Sequence, residues 1–175
     1  VVLTGATVTS NLGQSLGILS NGMTHEDFTY IAPTSEGQRF FVDTNESYPL
    51  SVRSSQPICD AEPADEVLGT ITLPHTDPAD RAFASIHSNP PGRSTNNPAI
   101  VRRRLGAGEM LWITSALESG ELEVHRATFV NLIGALRTQP YSVRLHAHRS
   151  AEAVVRHQRT ERRFIVTLVN VQDEA

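Results

Sequence analysis

Few side chains in this chain could do covalent chemistry. There is one cysteine, Cys59, with seven histidines and nineteen carboxylates. A nucleophilic cysteine needs an exposed thiolate, typically held on a sharp strand-to-helix turn beside glycines. Cys59 sits in Pro57-Ile58-Cys59-Asp60-Ala61, with no glycine and no helical pattern after it. That setting reads as a buried structural thiol.

Hydrolysis of a glycosidic bond needs two acids across a cleft, about 5–10 Å apart. The acidic clusters are Asp65-Glu66 and the set Glu118, Glu121 and Glu123. They fall at the ends of predicted elements, where acids are solvated or favour a helix N-terminus. No catalytic residue is assigned to them. His146 and His148 lie two apart on a predicted strand and so share a face. A metal site needs at least a third ligand, for which Glu152 and His157 are nearest, while Arg144 and Arg149 would repel the cation. The face reads as solvated, and neither metal nor cofactor is expected.

Gly106-Ala107-Gly108 lies between two strand patterns rather than before a helix, so it is a turn and not a phosphate cradle. Arg102-Arg103-Arg104 alternates faces of a strand and forms no basic patch. The remaining candidate is the loop over residues 87–98, rich in Pro, Ser and Asn. Prolines fix φ there, and the short polar side chains bond to the backbone. Loops of this kind carry function on a rigid scaffold. His87, Ser88, Asn89 and Arg93 are the residues it would offer to a substrate cleft or an interface.

The elements that must position these groups follow from apolar periodicity. Strands are expected at residues 1–3, 28–31, 39–42, 67–73 and 83–86, with weaker ones near Leu50 and at residues 56–60. The 28–31 and 39–42 runs, divided by Gly37, read as a hairpin. A second hairpin pairs residues 99–104 with 109–114 across the glycine turn. Leu12, Leu16 and Leu19 predict a short helix, weakened by Gly13 and Gly17. Leu122, Phe129, Leu132, Ile133 and Leu136 predict the main helix, over residues 121–136, ended by Pro140. Three further strands are expected at 141–148, 151–157 and 163–171. A boundary at Pro140 divides a mixed α/β part, residues 1–139, from an all-β tail, residues 140–175.

Composition bounds the class. Hydrophobic residues are 39% and charged residues 19%, enough for a packed core. The formal charge is −4 and every basic side chain except histidine is Arg, with no long basic stripe, so no nucleic-acid partner is expected. No apolar run approaches the ~20 residues of a membrane span, and no membrane partner is expected. A single cysteine excludes an internal disulfide and suits a reducing, cytoplasmic compartment. Both ends fall close to apolar strand-like runs, which reads as a segment of a longer chain.

The order of motifs carries a resemblance. Thr4-Gly5-Ala6-Thr7 is followed by Leu12-Gly13-Gln14-Ser15-Leu16-Gly17-Ile18, then Val67-Leu68-Gly69-Thr70 and Pro74. Next come Ala84-Ser85-Ile86-His87-Ser88-Asn89-Pro90-Pro91-Gly92, Pro98-Ala99-Ile100-Val101, Leu105-Gly106-Ala107-Gly108 and the main helix. Over residues 1–137 this resembles the beta-galactosidase trimerisation-type domain, a class I glutamine amidotransferase-like fold without the amidotransferase nucleophile. The tail is similar to the start of the β-sandwich that follows in such glycoside hydrolases. The resemblance implies a partial three-layer, flavodoxin-like α/β sheet followed by antiparallel sandwich strands. It implies a supporting, non-catalytic role beside an upstream catalytic barrel, assembly as a homo-oligomer, and carbohydrate as a substrate of the parent protein. Two departures stand out: the segment between Thr7 and Leu12 is shorter than the family loop, and the barrel with its acid/base pair is not in this chain. Two other readings remain beside it, an amidotransferase-like hydrolase using Cys59 and a carbohydrate-binding module with the tail as binder.

Overall fold

The computed structural model describes residues 1–77, 89–137, 143, 145–148 and 150–171. Two compact units emerge, residues 1–136 and 137–175.

The first unit is built on a six-stranded mixed sheet. Its strands are β1 (Val2–Thr4), β3 (Thr29–Pro33), β4 (Leu50–Val52), β6 (Glu66–Pro74), β7 (Pro91–Leu105) and β8 (Gly108–Ile113), in the order β1-β8-β7-β6-β3-β4. Only β1 and β8 run parallel; the other neighbours are antiparallel. A separate antiparallel pair joins β2 (Ser20–Met23) to β5 (Pro57–Cys59). Among the described residues the α-helices are α1 (Asn11–Ser15) and α2 (Glu123–Ala135). A three-layer, flavodoxin-like arrangement needs parallel strands joined through helices. Among the described residues strands outweigh helices, the sheet is mixed, and only α2 runs for several turns.

Alternation along each strand divides the core in two. On β8, Leu111 and Ile113 face one cluster, while Met110 and Trp112 face the other. The first cluster holds Ile31, Leu50, Leu68, Ile71 and Ile100, with Phe129, Leu132 and Ile133 of α2 packed against them. The second holds Leu3, Val8, Ile18, Cys59 and Val101 around Trp112, which is fully buried. Each such side chain withdrawn from water contributes about 1.5–3 kcal/mol. Arg103 closes the edge of the second cluster. Its guanidinium donates to both oxygens of Asp65, at 2.8 and 2.7 Å, and to the carbonyls of Leu16 and Gly17 behind α1.

Two expected elements fold otherwise. Residues 39–42 form no strand; Gln38–Phe40 is a single 3-10 turn, and the partner of β3 is β4. The cause is contact: Gly37 lies against the Leu68 carbonyl so closely that a Cβ would sit 1.7 Å from its oxygen. The chain must turn there, and Phe40 and Phe41 enter the core from that turn. The second difference is the 87–98 loop. Residues 91–98 belong to β7, paired with β6 through several register shifts. Pro98, which lacks a backbone donor, sits at one of these irregular places, opposite Thr70. Thr95 Oγ1 donates to the Ile71 carbonyl and accepts from Asn97 N, replacing ladder bonds. The strand expected at 83–86 lies outside the described residues.

The second unit contains a hairpin, β9 (Ala151–Gln158) and β10 (Arg163–Asn170), in continuous antiparallel register. His157 stacks on Phe164 across it, with centroids 4.6 Å apart. Every residue of β10 is exposed, including Phe164, Val166 and Leu168. Of the strand expected at 141–148, the described residues, 143 and 145–148, are not in a strand.

Candidate functional site

Of the four loop residues that the sequence offers, His87 and Ser88 lie outside the described residues. Asn89 and Arg93 are drawn into the fold. The Arg93 guanidinium pairs with the buried carboxylate of Glu26 and with Asp77 Oδ2 at 2.8 Å, while its Nε donates to the Pro74 carbonyl at 3.1 Å. The Asn89 carbonyl accepts from the Tyr30 hydroxyl at 2.7 Å, and its side-chain oxygen accepts from Thr76 N at 3.0 Å. Burial pushes the Tyr30 phenol pKa up, keeping it a donor. These contacts fasten the end of β6 to the start of β7. The bonds of this Arg93 guanidinium hold the scaffold together.

Cys59 is 1% exposed in the second core cluster. Burial is the main reason its thiol is pushed up to about 11. A neutral, covered thiol is not a nucleophile near neutral pH. His148 Nδ1 bonds to Ser150 and His157 stacks on Phe164. Among the described residues, no three His, Cys, Asp or Glu side chains converge as metal ligands. None of the described helices is long and apolar enough to cross a membrane.

The sequence did not point to the cavity that the fold forms at the carboxyl end of β8. Its volume is about 370 Å³. Three distant segments line it: Phe28 before β3, residues 51–54 at the end of β4, and residues 115–125 leading from β8 into α2. The last segment turns through Leu117–Ser119 in 3-10 geometry, with Ser119 Oγ donating to the Ala116 carbonyl. Leu122 caps α2 without a side-chain bond. His125, in the first turn of α2, places Nε2 2.6 Å from the Ser51 carbonyl. A carbonyl only accepts, so Nε2 carries the proton, and in the neutral ring Nδ1 holds the lone pair.

Behind the cavity a buried polar network ties the same segments. Gln56 donates to Thr29 Oγ1 at 2.8 Å and accepts from Thr114, while Gln56 N donates to Thr24 Oγ1 at 3.0 Å. At the mouth, Arg53 and Glu121 form an exposed pair at 3.5 Å. Ser115 and His125 are 4% and 9% exposed, yet Ser115 Oγ and His125 Nδ1 have no partner among the described residues. Both atoms are covered by the fold itself, Nδ1 by Gly120, where a Cβ would fall 2.4 Å from it. Since Ser115 Oγ has no partner, it forms no nucleophile–base couple with His125. The arrangement can bind; it shows no activated nucleophile.

No family model matches this sequence, and no curated protein matches it. Solved structures do. The chain is similar to the alpha-L-fucosidase isoenzyme 2 from Paenibacillus thiaminolyticus, with a TM-score of 0.63 and 17% identity over 87% of this chain. It is similar to a beta-galactosidase from Rahnella sp. R3, with a TM-score of 0.51 and 16% identity over 88% of this chain. The likeness is one of fold. The chain spans 22% and 19% of those two proteins, about a fifth of each.

Proposed function

We propose that this chain is a non-catalytic supporting domain of a larger carbohydrate-active enzyme of the glycoside hydrolase kind. The observation that carries this reading is the coverage. Nearly all of this chain follows the fold of about a fifth of a fucosidase and of a beta-galactosidase. In this reading residues 1–139 are the back part of a beta-galactosidase trimerisation-type, amidotransferase-like domain. Residues 140–175 begin a C-terminal β-sandwich, which would cover the apolar residues that β10 exposes. Its partners are a catalytic barrel of the same protein and further copies of the chain, and the segment 87–93 contributes to an interface. The state of Cys59 weighs against the hydrolase alternative.

Two measurements test it. Light scattering of the chain through a dilution series should give a defined oligomer that persists; a clean monomer overturns the assembly role. The chain alone should leave nitrophenyl fucosides and galactosides intact; turnover that follows the purified chain overturns the non-catalytic role.

A further inference from the structure

We draw no further inference here: the strongest candidate, the exposed apolar face that Val155, Phe164, Val166 and Leu168 form on the β9–β10 hairpin of the second unit, is an unpartnered sheet face, and nothing in the structure shows what covers it.

Discussion

His125 of α2 holds its Nε2 against the main-chain carbonyl of Ser51, 2.6 Å away, so one imidazole fastens the main helix to the edge strand β4. The bond crosses the sheet's covered face and fixes the width of the cavity. Removing it leaves a carbonyl unpaired and a hole under Gly120. His125→Ala should cost about 1–3 kcal/mol, read as a lower melting temperature. Arg126→Ala, one residue on and paired with Glu123 only at 3.9 Å on the surface, should stay within about 0.5 kcal/mol. Equal effects from the two would show that the imidazole bond carries nothing.

The Arg103–Asp65 fork gives a sharper case. Both side chains are nearly buried, and the guanidinium makes two parallel bonds to one carboxylate. The hydrogen bond to Asp65 is the largest influence raising the Arg103 pKa, so the guanidinium keeps its charge. Arg103→Met strands the carboxylate and should cost about 3–5 kcal/mol in urea unfolding. Arg103→Met combined with Asp65→Asn should lose less, because the amide is neutral and still accepts from Glu62 N. A double variant as unstable as the sum of the singles would refute the coupling.

Gly37 tests why residues 39–42 are not a strand. Its φ is ordinary, so strain is not the issue. The neighbour is a main-chain oxygen of the central strand β6, which has little room to move. Gly37→Ala should destabilise by about 1–3 kcal/mol through overpacking. Gly106→Ala makes the contrast: no atom stands within 4 Å, and the cost there comes from its φ of +58°. If Gly37→Ala melts at the native temperature, the contact does not govern the turn.

Legibility followed locality. Leu122, Phe129, Leu132, Ile133 and Leu136 mark α2 within a residue or two, because one apolar stripe decides it. The β7–β8 hairpin was readable from Gly106 and the apolar runs beside it. Phe40-Phe41-Val42 misled, since the pattern cannot show that Gly37 must press on Leu68. Residues 91–98 misled in the other direction: their Pro, Ser and Asn favour a loop, and a nine-residue apolar partner, β6, draws them into the sheet. The cavity was silent for a third reason. Phe28, Ser54 and Ser115 lie far apart in the chain, and serines carry no periodic signal.

The Cys59 thiol links burial to pH. Its folded value is about 11, against 9.0 for the free side chain, chiefly because burial disfavours the thiolate. An acid raised on folding keeps its proton in the native state while the unfolded chain gives it up. Between pH 9 and 11 the native state therefore binds more protons, and stability falls as pH rises. The loss from this group should reach about 2–3 kcal/mol by the upper end of that window. Urea unfolding at stepped pH should show that slope in the native chain and a shallower one in Cys59→Ala. The same burial predicts that an aromatic disulfide reagent at pH 8 labels Cys59 only after denaturant is added. Rapid labelling of the folded chain, or identical slopes in both chains, would mean that the thiol is reachable and would reopen its candidacy as a nucleophile.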